Sequence, residues 1–290
     1  MTDAEAPEWS TRQIIENREV ITGDRILAGV QALPHVTYFK RDFLYRPGVW
    51  RDMPVRPFWM TPPSRRRVIV VGHADKHLTR LDSALLRASG TKHVFAFNAD
   101  PVPWFVSPLP LGLTNNTAES NMHRLLGDNE HLIRAYEHSP DRGEFDGSIY
   151  VNMTIQNALV HRRRALEAVR GLAGVHLEQP TFSEKGRIDY LSKLRSFNFV
   201  LSPQGNGVDT HRTWETLYMG GIPIVHRHPA VTPLLEALPV VLVDDWRELQ
   251  STGFLEGEWH RIHSTRFDYS TLRVSFWIDQ IAAAHVRLAS

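Results

Sequence analysis

Short apolar runs, several with no polar face, recur along the chain and are separated by stretches of helical spacing. They are Val68–Val71, His93–Phe97, Ser148–Asn152, Val175–Leu177, Phe197–Leu201, Ile222–Val225 and Val240–Val243. A strand that is apolar on both sides must be covered on both sides, and that is the condition of a parallel sheet between helical layers. Helical patterns follow near 78–88, 157–172 and from Thr210 onward, and 272–288 reads as an amphipathic terminal helix. The expected class is therefore α/β. Right-handed crossovers bring the loops after the strands to one functional edge.

The chain of 290 residues has room for two such units. The turn-rich Ser139–Gly143 is the expected boundary. This gives a first Rossmann-like domain over 1–143, a second over 144–270 and a terminal helix over 271–290. The Pro- and aromatic-rich stretch 34–66 shows no clear element by pattern. It is basic: Lys40, Arg41, Arg46, Arg51, Arg56, Arg65, Arg66 and Arg67 face only Asp42 and Asp52 in sequence. Cations with interleaved aromatics are ingredients of nucleic-acid contact, and equally of a loop with solvated Arg heads. The formal net charge of +1 argues against a globally basic binder. Absence of Cys excludes disulfides, thiolate zinc and a Cys nucleophile. The N-terminus is polar and acidic and no long apolar window occurs, so a cytoplasmic location without a membrane span is expected.

The densest chemistry lies in 198–225, read as strand, glycine loop, helix, glycine pair and strand. Gly205 and Gly207 allow left-handed turns and close approach of a ligand. Asp209 or Thr210 can cap the helix, whose first N–H groups form an anion site. His211 and Arg212 oppose the macrodipole there, so they are expected to serve an anion. Glu215, three residues on from Arg212, either pairs with it as an ordinary ion pair or accepts hydrogen bonds from sugar hydroxyls.

These residues carry a resemblance. Phe199–Gly207, His211-Arg-Thr-Trp-Glu215 and Gly220-Gly-Ile-Pro-Ile-Val225 resemble the donor-binding segment of exostosin-like glycosyltransferases. Val71–Asp75, Phe95–Asn98 and Leu109–Asn115 extend a looser similarity. The resemblance implies two Rossmann-like domains facing each other across a cleft (GT-B), with the terminal helix crossing back to the first. It implies a nucleotide-diphosphate sugar as co-substrate, with Arg212 on the diphosphate, Glu215 on ribose or sugar, and the Ser202–Gly207 loop (Ser202, Pro203, Gly205, Asn206, Gly207) lining the sugar pocket. Gln204 stands where the family often has a basic or small residue.

Asn152, at a strand end, and Arg163, in the run Arg162–Arg164, complete the expected donor set. An inverting transfer needs a base for the acceptor hydroxyl. Asp75 is the first candidate and His73 the second; Asp75 reads alternatively as a helix cap. Asn98, Thr114 and Asn115 could bind acceptor or sugar hydroxyls, and Arg65 and Arg66 an anionic acceptor, either a glycan or lipid carrier or a hydroxylated base in DNA. No cofactor and no metal are expected. Two other readings stay open: a metal-dependent hydrolase using His73, Asp75 and His77, and a nucleotide-sugar or nucleic-acid binding module without turnover.

Overall fold

The computed structural model describes residues 9–40, 44, 48–50, 53–55, 57–62, 67–72, 77–100, 102–116, 121–140, 142–156 and 158–289. His73 and Asp75 lie outside the described residues, as do Arg41, Arg46, Arg51, Arg56, Arg65 and Arg66 of the basic segment.

The chain opens with α1 (Thr11–Glu16) and α2 (Gly23–Gln31), then β1 (Val36–Lys40). Ser10 and Gln13 form a capping box on α1, and the Thr22 side chain accepts from Arg25 N on α2, satisfying donors that a helix start leaves free. A short antiparallel pair, β2 (Gly48–Trp50) and β3 (Met53–Val55), precedes β4 (Val68–Gly72), α3 (Arg80–Ala88), β5 (His93–Phe97) and β6 (Val106–Leu109). Thr79 and Asp82 cap α3. Strands β1, β4, β5 and β6 form a four-stranded parallel sheet in that order. The strand β1, hidden from pattern reading by its polar Thr37 and Lys40, is one edge. Pro108, which lacks a donor, is tolerated because β6 is the other edge.

Helices α4 (Asn121–Leu126) and α5 (Asn129–His138) lead to β7 (Ile149–Asn152), α6 (Leu159–Val169), β8 (Val175–Glu178), α7 (Glu184–Ser196), β9 (Phe199–Leu201) and α8 (His211–Tyr218). Then follow β10 (Pro223–His226), α9 (Thr232–Leu235), β11 (Val241–Val243), α10 (Phe254–His263) and α11 (Val274–Ala289). The second sheet is five-stranded and parallel, in the order β11-β10-β9-β7-β8. Two parallel sheets with covering helices make this a mixed α/β protein consistent with two Rossmann-like domains.

The packing crosses the expected boundary. Ile14 and Ile15 of α1 and Leu132 and Ala135 of α5 are buried in one core with Leu191, Leu194, Trp214 and Leu217 of the second half. In exchange, Ile281 and Ala284 of α11 pack with Val68, Val70 and Phe95 of the first sheet. Gly29 lets α11 close on α2, since a Cβ there would lie 2.3 Å from Ile278 Cδ1. Among the described residues, no helix is long and apolar enough to cross a membrane.

Candidate functional site

In the second sheet the chain runs from β7 outward to β8, then returns across β7 to β9 and onward to β10 and β11. The loops after β7 and β9 therefore part in opposite directions. Such a switch point leaves a crevice at the carboxyl ends of the strands. A cavity of about 210 Å³ lies there. Asn152 and Thr154 follow β7 into it, Pro180–Phe182 follow β8, and Thr210, His211, Arg212 and Glu215 enter from the start of α8. Thr114 and Leu126 close it from the first half of the chain, Arg162 from α6, and Arg187 and Tyr190 from α7.

Two guanidinium groups dominate the site's charge. The Arg212 Nε and Nη1 atoms are buried without a hydrogen-bond partner. Arg162 is itself buried; its Nη1 donates to Thr154 O at 2.6 Å and its Nε to Gln204 O at 3.2 Å. Burial, and then the charge of Arg212, push Arg162 down to about 10. No side chain caps α8 and its first turn holds no carboxylate. Its positive end thus adds to the field of the two arginines.

Glu215 does not balance them, because it is already paired. Arg187 Nη2 lies 2.7 Å from Glu215 Oε1, with the two side chains 3% and 7% exposed. Tyr190 OH donates to Oε2 at 2.8 Å. Burial works to raise the Glu215 carboxyl, and Arg187 and Tyr190 outweigh it, so the net shift is downward. The alternative in which Glu215 pairs with Arg212 along α8 is thus replaced by a pairing from α7. A helix turn places i and i+3 near each other, but the buried cation that reaches the carboxylate belongs to the neighbouring helix.

His211 donates from Nδ1 to Gly112 O at 2.8 Å, since a carbonyl can only accept. The adjoining Leu111 N donates to Asp209 Oδ2 at 2.8 Å. One turn of the first half of the chain therefore grips both residues. Asp209 is buried, with Trp214 Nε1 at 2.9 and 2.8 Å from its two oxygens and Thr210 N at 2.7 Å. Its carboxylate faces this internal junction and not the main cavity.

The remaining expected residues divide. Asn152 lines the cavity at the end of β7, with Nδ2 donating to Tyr150 OH at 2.9 Å. Thr114 lines it as well, whereas Asn115 Oδ1 accepts from Asp24 N at 2.9 Å in the first turn of α2. Arg163 is exposed on α6 while Arg162 turns inward, the result of a 100° rotation per residue. Ser202 and Pro203 are buried, and Asn206 is exposed. Ser202 borders a separate cavity of about 20 Å³, which has room for a single water.

Neither Gly205 nor Gly207 has positive φ, so both serve close approach alone. What approaches is protein. A Cβ on Gly205 would lie 3.1 Å from Arg162 Nη2, and one on Gly207 would lie 2.4 Å from Asn98 Oδ1. Asn98, buried and left-handed at φ +50°, accepts at Oδ1 from Asp209 N at 3.1 Å. Gly207→Ala is accordingly expected to cost about 1–3 kcal/mol of stability by overpacking this junction. Urea denaturation measures it, and an unchanged midpoint would contradict the contact.

Sequence reasoning missed Arg162, Arg187 and Tyr190. A signal existed for the last two: they stand three apart on a helix whose Leu191 and Leu194 are core residues, a spacing that turns both toward the sheet. Among the described residues, no group of three or more His, Asp or Glu is placed to hold a metal ion. No model of a known protein family matches the chain, and no curated protein matches it significantly in sequence.

Proposed function

We propose that the cavity at the β7–β9 switch point binds the diphosphate of a nucleotide sugar, and that the protein is a glycosyltransferase. The observation that carries this reading is the pair of buried, unpartnered atoms Nε and Nη1 of Arg212, in the cavity that the buried Arg162 also lines. Two cations at one desolvated wall, with the nearest carboxylate held by Arg187, call for a ligand of more than one negative charge. The start of α8 favours the same ligand. Pro180 and Phe182, the latter 57% exposed, offer an apolar surface for a base. Glu215 keeps lone pairs for ribose or sugar hydroxyls while Arg187 and Tyr190 hold it in place.

In this reading the second sheet carries the donor and the first the acceptor, in a GT-B arrangement. The sugar passes to an acceptor hydroxyl on a glycan, lipid carrier or hydroxylated DNA base, with inversion. Developing charge on the leaving diphosphate is met by Arg212, Arg162 and the α8 dipole, without a metal. Arg65 and Arg66 are the acceptor-side cations of the proposal.

The test is calorimetry with UDP, GDP, ADP and CDP, alongside inorganic phosphate. At least one nucleoside diphosphate is expected to bind, and at 100-fold its Kd to stabilise the fold by about 2.7 kcal/mol. Arg212→Ala is expected to weaken it by about 1.5–3 kcal/mol, the worth of a charged hydrogen bond. Binding of none of the four, or binding indifferent to Arg212→Ala, would overturn the reading.

A further inference from the structure

We infer that His211 is the proton acceptor of the reaction, taking the hydroxyl proton at Nε2. This rests on the proposed transferase reading of the cavity.

The two ring nitrogens of His211 stand in different surroundings. Nδ1 lies 2.8 Å from Gly112 O, and a carbonyl oxygen offers no proton, so Nδ1 is the protonated nitrogen. In the neutral ring Nε2 then carries a lone pair. His211 lines the cavity, and no described residue bonds to Nε2. The neutral histidine therefore has an acceptor atom to offer a ligand, where sequence reasoning expected a cation for phosphate.

The partner that fixes this tautomer is itself fixed. Gly112 has φ +65°, and a Cβ there would lie 2.3 Å from Ile21 O, so the turn admits no other residue without strain. Leu113 N donates to Ile21 O at 2.8 Å and Leu111 N to Asp209 Oδ2 at 2.8 Å, on either side of the carbonyl that holds the ring. A ring held at one nitrogen on the wall of a ligand cavity, with a lone pair on the other nitrogen, is the arrangement a general base requires.

The position also suits the step. His211 and Arg212 line the same cavity, so the proposed diphosphate and its sugar would share that cavity with the ring. As the hydroxyl oxygen bonds to the anomeric carbon, the bond from that carbon to the phosphate oxygen breaks. Its electron pair leaves on the diphosphate, and the hydroxyl proton passes to Nε2. The nucleoside diphosphate carries the negative charge away and the imidazolium later returns the proton to solvent.

His211→Asn separates the two nitrogens. An Asn Nδ2–H can still donate to Gly112 O, but nothing remains at the Nε2 position. UDP-glucose, GDP-mannose and ADP-glucose serve as donors, with water as the acceptor hydroxyl, and release of the nucleoside diphosphate is followed. H211N is expected to bind the free diphosphate within about threefold of wild type, which shows it folded, and to release product about 100- to 10,000-fold more slowly. Nitrogen NMR of histidine-labelled protein near neutral pH is expected to show the Nδ1–H tautomer for the resonance missing in H211N. Undiminished turnover in H211N, with turnover abolished in Asp75→Asn, would overturn this inference alone, as would an Nε2–H tautomer. Wild-type protein that binds a diphosphate yet turns over none of the three donors would overturn the transferase reading, and this inference with it.

Discussion

Arg187→Ala is expected to lower the free energy of unfolding by about 3–5 kcal/mol, because it strands a buried carboxylate without its counter-charge. Glu215 and Arg187 are 7% and 3% exposed at the side chain, and they meet at 2.7 Å. The same guanidinium donates from Nη2 to Leu126 O at 3.0 Å, so a carbonyl loses its partner as well. Urea denaturation measures the effect. The double variant Arg187→Met with Glu215→Leu is expected to recover most of it, since removing both partners leaves no orphaned charge. A single variant as stable as wild type would show that water reaches the pair.

The pair also sets a pH dependence. The Glu215 carboxyl sits below its ordinary value in the fold, so its stabilisation is complete above the unfolded value, about 4.3. It is lost as pH falls through the lower, folded value. Glu215→Gln is expected to remove this part of the acid sensitivity.

Asp209→Ala is expected to cost about 3 kcal/mol, by leaving Leu111 N, Thr210 N and Trp214 Nε1 without their acceptor. Trp214 is fully buried, so no solvent can replace the carboxylate at its indole. The pH dependence here has the opposite sign. Burial raises Asp209 to about 6, partly offset by the bonds from Leu111, Trp214 and Thr210. The fold therefore binds this proton more tightly than the unfolded chain, whose value is about 3.9. The stabilising contribution is full below that unfolded value and is lost as pH rises through about 6. In a comparison with Asp209→Asn, the stability difference is expected to move against the wild type across that interval and to stay flat above it. A difference that is flat throughout would contradict the burial of the charge.

The apolar runs by themselves determined the α/β class and the strands β4, β5, β7, β9, β10 and β11, because a segment with no polar side has few ways to be buried. The residues of 198–225 also determined that a helix begins near Thr210, behind a glycine loop, with cations in its first turn. Weakly patterned elements escaped: β1 is half polar and lies on an edge, where one side of the ladder meets solvent. Which cation enters the site was beyond reach in the sequence, since Arg162 and Arg163 differ only by a 100° turn of α6. The exchange of α1 and α5 for α11 between the two cores was equally hidden, as was the junction that Asn98 and Asp209 form with each other and with Leu111. Those outcomes depend on which surfaces meet between residues far apart in the chain, 42 for Arg162 and Gln204, 98 for Leu111 and Asp209 and 111 for Asn98 and Asp209. Local spacing encodes which face of an element is apolar, whereas partners for buried charges are chosen only when the elements pack.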